Sequence, residues 1–143
     1  MLASHLFDTI PSVMREWRKE LHSGLPEGLS INQFRVLFFV QMGHASSAYL
    51  ARHLGVTPAA MSKMVEGLVQ AELLRRDALA GDRRQFKLCL TRQGLSVVKR
   101  VRQQVETRMQ EHLDELPMRE QKQIEEALML LKKVFSSTGE VVP

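Results

Sequence analysis

The sequence predicts a mainly α (α+β) fold, in which a winged helix-turn-helix is joined to long N- and C-terminal helices that form a dimerisation region. Three observations lead to this fold class. Apolar side chains recur every three or four residues after Thr57 and every second residue around Leu88, so a helix precedes a strand. A glycine turn and two arginines introduce that strand. Long amphipathic patterns lie at both ends of the chain.

The first helix is predicted over residues 4–22. Its apolar stripe consists of Leu6, Ile10, Val13, Met14, Trp17 and Leu21. Pro11 should kink this helix or mark its true first turn. After a loop, Ser30 is expected to cap a second helix that is apolar on most sides and therefore part of the core. Ser46 is expected to cap a short third helix that stops at Gly55.

The fourth helix should start at Thr57, because its hydroxyl can accept a hydrogen bond from a backbone N–H of the first turn. Pro58 fits the first helical position, where a backbone N–H would have no partner within the helix. Its predicted buried face consists of Met61, Met64, Val65, Leu68, Val69 and Leu73. Its opposite face consists of Ala59, Ser62, Lys63 and Glu66. Two helices joined by a short glycine-containing turn are typical of a helix-turn-helix, whose second helix enters the major groove of DNA. Any helical hairpin is the alternative that this pattern leaves open.

A charged hairpin is predicted after the fourth helix. Ala80 and Gly81 permit a tight reversal, and Asp82, Arg83 and Arg84 follow directly. Alternation in the second strand predicts one buried set of side chains, Phe86, Leu88 and Leu90, and one outward set, Gln85, Lys87 and Cys89. The order of helix, strand, basic tip and strand predicts a winged helix.

Two more helices are predicted after the hairpin. Thr91 should cap a long one that runs to about Glu115, and Pro117 separates it from the last one. The apolar faces of the first helix and of these two helices are together too large for the winged helix to cover. This predicts a symmetric dimer in which a second chain covers them, and a bundle within one chain is the alternative. The contacts between the two chains of the dimer are expected from Leu6, Val105, Met109, Leu128 and Leu131. One intertwined domain would then comprise residues 1–29 and 92–143 as the dimerisation region and residues 30–91 as the winged helix-turn-helix.

Positive charge is concentrated in the middle of the 143-residue chain. Residues 45–100 carry ten Lys or Arg against four acidic residues, although the net charge of the whole chain is only +4. This surface is expected to face double-stranded DNA. No nucleophile, paired acid or phosphate loop stands out, so no enzyme is predicted; a winged helix that serves only as a protein-interaction module is the rival hypothesis. One cysteine, no signal peptide and no membrane span predict a cytoplasmic protein.

The wing carries a specific pattern. An aspartate is followed two residues later by an arginine, and the strand that they begin ends in Leu-Thr just before a helix; these residues are Asp82, Arg84, Leu90 and Thr91. A further arginine, Arg76, lies six residues before the aspartate. This pattern resembles the multiple-antibiotic-resistance regulator (MarR) family of transcription factors, and the likeness covers roughly residues 5–135. Leu50-Ala51, Gly55-Val56 and Ser62-Lys63 also match the family pattern. Ala71-Glu72 replace a glycine often found before the strand.

The resemblance implies an obligate dimer with two winged helices on a pseudo-palindromic operator. It suggests a repressor that a small aromatic or phenolic molecule releases. DNA contacts are expected from Thr57, Pro58, Ala59, Ser62, Lys63, Arg76, Asp82, Arg83 and Arg84. Lys63 and Ser62 would reach into the major groove, and Arg84, held by Asp82, would enter the minor groove while Arg83 contacts phosphate.

The resemblance also implies a cleft between the dimerisation helices and the winged domain where small aromatic anions bind. Arg15 and Arg18 flank Trp17 and can supply cations beside an apolar wall, although a plain dimer-core role for Trp17 is the alternative. The five histidines are scattered without a helical pair, so neither a metal site nor a cofactor is expected. Cys89 is expected to be an ordinary reduced thiol.

Overall fold

The structure is a computed structural model that describes residues 1–136, apart from the side chains of Arg83 and Ser136. Its elements in chain order are α1 (Leu2–Gly24), α2 (Ile31–Gln41), α3 (Ser47–Leu54), α4 (Pro58–Gln70), β1 (Leu74–Leu79), β2 (Asp82–Leu90), α5 (Arg92–Leu113) and α6 (Met118–Ser136). This mostly helical fold with a small sheet confirms the predicted fold class.

Four predicted helix starts are confirmed by their capping hydrogen bonds. The side-chain oxygens of Ser30, Ser46, Thr57 and Thr91 accept backbone N–H groups at 3.1, 3.3, 3.1 and 3.0 Å, respectively. Each bond satisfies a donor that the first helical turn would otherwise leave unpaired. Because a cap depends only on its own turn, these boundaries could be read from the sequence.

α1 begins two residues before the predicted start, at Leu2. Pro11 lies inside the helix rather than at its first turn, because α1 already begins at Leu2. A proline removes one backbone hydrogen bond, and the residues before it can still continue the helix. The longer α1 packs against α5 through its C-terminal half, where Leu21 is buried.

The hydrophobic core is centred on α2. Val36, Leu37 and Phe39 are fully buried, and α2 contacts α3, α4, α5 and β2. This agrees with the prediction that α2 is a core element. The core holds the helix-turn-helix, α3 and α4, against the first half of α5.

The sheet is an antiparallel hairpin in which Leu74 pairs with Leu90 and Ala78 pairs with Phe86. The register then shifts, because Leu79 pairs with Asp82, so residues 83–85 have no partner on β1. This bulge bends the wing away from a regular ladder. The sequence predicted the hairpin but not the bulge.

The last two helices extend away from the core. α5 ends at Leu113, two residues before the predicted end, and α6 exposes Met118, Leu128, Met129 and Leu130. Residues 137–143, which were assigned to the dimerisation region, lie outside the described part of the chain. Within residues 1–136, no helix combines the length and apolarity that a bilayer crossing requires.

Candidate nucleic-acid interface

The two faces of α4 separate as predicted. Met61, Val65 and Leu68 are buried in the core, whereas Ser62 and Lys63 are exposed together with Ala59, Ala60 and Glu66. The exposed face is therefore narrow and free of bulky side chains near the start of the helix. Such a surface can approach a nucleic-acid groove closely.

The N-terminal tip of α4 is a capped turn. The Thr57 hydroxyl accepts the Ala60 N–H, and the Met61 N–H donates to the Thr57 carbonyl at 3.0 Å. Thr57 and Pro58 are exposed at this tip, where the helix dipole is positive. Because its oxygen is already used as an acceptor, the Thr57 hydroxyl is left with its proton for a phosphate.

The tip of the wing is built by Gly81 and Asp82. Gly81 has a φ of 91°, which L-residues rarely adopt, and it allows the reversal between Leu79 and Asp82. The Asp82 carboxylate accepts the backbone N–H of Arg84 at 2.8 Å. Asp82 thus fixes the backbone at Arg84 rather than pairing with its guanidinium, and the exposed Arg84 side chain projects from the bulge. The Arg83 side chain, predicted to contact phosphate, lies outside the described part of the structure.

Arg76 does not lie at the wing tip. Its guanidinium donates to the Glu66 carboxylate of α4 at 3.0 Å and lies 5.5 Å from the centroid of the Phe86 ring. The three residues connect the outward face of α4 to the base of the wing. An ion pair partly exposed to water contributes only a modest stabilisation, so its importance is geometric.

The same contact explains a wrong burial prediction. Phe86 was expected in the core beside Leu88, but 45% of Phe86 is exposed whereas Leu88 is 2% exposed. The two side chains share a face of β2, yet the hairpin extends beyond the core at Phe86. There the Arg76 guanidinium covers part of the ring, a contact that strand alternation cannot reveal.

The other face of the hairpin carries Cys89. Partial burial raises the pKa of its thiol, and the neighbouring Asp77 carboxylate raises it further. Asp77 is itself paired with Arg75 through contacts of 3.0 and 3.3 Å. Cys89 is therefore protonated at neutral pH and a poor nucleophile.

Sequence reasoning missed an aromatic stack between α2 and α3. The Tyr49 ring lies 4.5 Å from that of His44 and 5.6 Å from that of His53, nearly parallel to both. The His53 ring also meets the edge of Phe39 at 4.6 Å. Tyr49 and His53 are one turn apart in α3, but His44 joins them only through the fold. The stack fixes α3 against the core and so positions the helix-turn-helix.

Of the proposed ligand residues, Trp17 lines a cavity between α1, α2 and α5. The cavity measures about 300 Å³ and is bounded by Trp17, Leu21, Phe34, Phe38, Met42, Arg102, Val105 and Glu106. Arg15 and Arg18 are exposed outside it. The cation at this cavity is Arg102, whose guanidinium donates to Glu106 at 2.6 Å. The role of Arg15 and Arg18 in ligand binding stays a prediction, and Arg102 could not be found from the sequence because α5 supplies this wall from a distant part of the chain.

The residues predicted at a dimer contact have different environments. Leu128 is 56% exposed, and Leu6 and Leu131 are half-buried. Val105 is only 5% exposed in the single chain, and Met109 packs against the same core. Val105 therefore packs within its own chain, so its assignment to a partner contact needs correction.

Comparison with known proteins supports the pattern in the wing. A family model described as the MarR family matches residues 27–85, which include the helix-turn-helix and most of the wing. No curated protein sequence matches the chain.

Solved structures share the fold over nearly the whole chain. Rv1404 of Mycobacterium tuberculosis is 26% identical with a TM-score of 0.76, over 98% of this chain and 93% of its own. The transcriptional regulator Tm0710 of Thermotoga maritima is 25% identical with a TM-score of 0.75, over 96% and 95%. The MarR family protein Rv2887 of M. tuberculosis, in complex with salicylic acid, is 29% identical with a TM-score of 0.66, over 90% and 94%.

The family match, the whole-chain likeness and the exposed α4 face beside a basic wing lead to one assignment. Residues 27–85 carry the winged helix-turn-helix of the MarR family, and the whole chain shares the fold of solved transcriptional regulators that include a MarR family protein.

Proposed function

We propose that the protein is a homodimeric repressor that binds a pseudo-palindromic operator and releases it when a small aromatic acid binds. The observation that carries this proposal is the joint exposure of the α4 face and of Arg84 at the wing tip, with Arg76 and Glu66 linking the two elements. One rigid unit would then contact the major groove and the adjacent minor groove at the same time.

In the major groove, Lys63 and Ser62 would contact phosphates or base edges. Ala59 and Ala60 can touch a thymine methyl group but cannot make the bidentate hydrogen bonds that distinguish guanine from adenine. Glu66 would repel phosphate, but its carboxylate is engaged by Arg76. Part of the sequence preference should therefore come from DNA shape.

In the minor groove, Arg84 is the proposed contact. Its side chain projects from the bulge of β2, and Asp82 fixes its backbone. A narrow A·T-rich minor groove has a strong negative potential that attracts an arginine. Arg84 would thus select flanking sequence without contacting base edges in the major groove.

The dimer proposal is supported by apolar surface outside the core. Exposed side chains in α1 include Phe7, Ile10 and Val13, and those in α6 include Leu128 and Met129. A groove of about 650 Å³ between the end of α5 and α6 adds an apolar wall. A monomer in water would leave this apolar surface exposed, whereas in a symmetric dimer each chain would bury the surface of the other.

The proposed ligand site is the Trp17 cavity. Its volume is at the lower end of the range for small-molecule sites, and the ring of Trp17 can pack against an aromatic ligand. Arg102 is already paired with a carboxylate, that of Glu106. A ligand carboxylate could replace Glu106 on Arg102, and the cavity wall formed by α1, α2 and α5 would respond. Rv2887, a relative of similar fold, forms a complex with salicylic acid.

A mobility-shift assay with generic duplex DNA tests the DNA-binding part of the proposal. We expect binding at low salt that weakens steeply as salt rises, with a slope equivalent to several released counterions per dimer. Sequencing the fragments that the pure protein retains should give a pseudo-palindrome with half-sites about one helical turn apart. Salt-independent binding or fragments without symmetry would contradict the proposal.

Titration with salicylate tests the ligand site. Because Trp17 is the sole tryptophan, its emission should change at the salicylate concentrations that release DNA, and Arg102→Ala should lose both responses. Arg15→Ala is the matched control, since Arg15 lies outside the cavity. Release of DNA by salicylate with unchanged Trp17 emission would place the ligand elsewhere.

A further inference from the structure

Two carboxylates of α1 lie beside a histidine of α5, outside the DNA-binding surface and the Trp17 cavity. Glu16 and Glu20 are one helical turn apart and half-buried, and His112 is exposed near the end of α5. One ligand atom from each of the three side chains lies within 4.8 Å of the other two. The sequence predicted no metal site, because the histidines form no helical pair. This group exists only because α1 packs against α5.

The spacing of these atoms suits a small divalent cation. The His112 Nε2 lies 3.5 Å from the Glu16 Oε1. Two ligands at about 2.1 Å from a tetrahedral ion are about 3.4 Å apart, so this pair needs little adjustment. Glu20 can close the remaining distance by a change of side-chain rotamer, since it lies on the same face of α1 as Glu16.

The neighbouring charges allow a cation to bind. Lys19 donates to the Glu16 Oε1 at 3.1 Å, but its side chain is 69% exposed and can swing into solvent. Two carboxylates and a neutral imidazole together offer a net charge of −2 to an ion, in the nitrogen and oxygen donor set that zinc and cobalt accept.

We propose that Glu16, Glu20 and His112 bind one divalent transition-metal ion per chain, with water in the remaining coordination positions. The bound ion would connect the middle of α1 to the end of α5. The three residues lie outside the DNA-binding surface and are not among the residues that line the Trp17 cavity. The site also lies next to Trp17 in the chain, which makes occupancy measurable.

The test is a titration of the untagged, metal-free protein with Co²⁺, followed by Trp17 fluorescence. We expect saturable quenching with one Co²⁺ per chain, reversed by an excess of Zn²⁺. Glu20→Gln and His112→Gln should each weaken Co²⁺ binding at least about tenfold, because even groups that only orient a metal ligand contribute that much. His22→Gln is the control, since His22 is exposed on the opposite side of α1 from Glu20.

Several outcomes would overturn the proposal. Quenching that does not saturate, or equal affinity in His112→Gln and His22→Gln, would mean that His112 is only an ion-pair partner of Glu16. Circular dichroism of each variant separates a lost ligand from a lost fold. Because Glu20 and His112 contact solvent, we expect both variants to keep the helical content of the wild type.

Discussion

At the scale of single residues, the backbone at Glu72 stands out. Glu72 has a φ of 60° between α4 and β1, in the left-handed region, which costs a residue with a side chain about 1 kcal/mol. Its carbonyl accepts the Thr91 hydroxyl at 2.6 Å, so the start of α5 holds this conformation in place. The family often has glycine in this region, and the replacement is therefore not neutral.

Glu72→Gly should raise the free energy of unfolding by roughly 1 kcal/mol, because glycine adopts the left-handed conformation without strain. Ala71→Gly is the matched control and should lower it, because Ala71 has an ordinary φ of −76° and glycine would add only disorder to the unfolded chain. Urea unfolding at one fixed protein concentration measures both variants. Equal destabilisation by the two glycines would contradict the strain at Glu72.

Residues whose roles depend on their own turn could be predicted, and residues whose roles depend on packing could not. The caps at Ser30 and Thr57 were evident from neighbouring residues alone. The DNA contact of Arg76 stays a prediction, whereas its ion pair with Glu66, ten positions away in sequence, could not be read from the sequence. Arg102 was missed because nothing near it in the sequence indicates Trp17 on the other side of the cavity.

At the scale of elements, the junction between α5 and β1 controls the position of the wing. The first turn of α5 lies against the backbone of Leu73, where a Cβ added at Gly94 would be 2.0 Å from the Leu73 carbonyl oxygen. The Thr91 N–H also donates to that oxygen at 3.3 Å. The close approach of two backbones requires glycine at position 94.

Gly94→Ala should destabilise the protein by on the order of 1–3 kcal/mol, because α5 must move away from Leu73. The sign of the change in unfolding free energy is decisive, since replacing glycine by alanine in an unconstrained helix would instead stabilise the protein by up to about 1 kcal/mol. Ser96→Ala, at an exposed position of the same helix, provides the control. Thermal unfolding of the three proteins distinguishes the cases, and a stabilised Gly94→Ala would disprove the contact.

The order of the elements was predictable, but some of their details were not. Periodicity identified α4, and alternation identified β2. The bulge at residues 83–85 escaped prediction, because it does not change the pattern of apolar residues. A charged turn has the same type of sequence whether the strand that follows it is regular or bulged.

At the scale of the whole molecule, the apolar surface of α6 and the basic middle segment point to two separate contacts. Leu128→Glu should dissociate the proposed dimer while each chain stays folded, because Leu128 is exposed in the single chain. Val105→Glu should instead unfold the chain, since it places a charge in the core. Sedimentation with circular dichroism measures both. A Leu128→Glu variant that remains dimeric would exclude α6 at this position from the interface.

The most direct test of DNA recognition by the wing is fluorescence anisotropy of duplexes that differ only in A·T-rich or G·C-rich flanks. Arg84→Ala should weaken binding to the A·T-rich duplex by about 1–3 kcal/mol per wing and to the G·C-rich duplex by less. Lys87→Ala, which removes the same charge from the wing outside the bulge, should cause a smaller loss that is equal on both duplexes. Equal binding of wild type and Arg84→Ala to both duplexes would contradict this account of the wing.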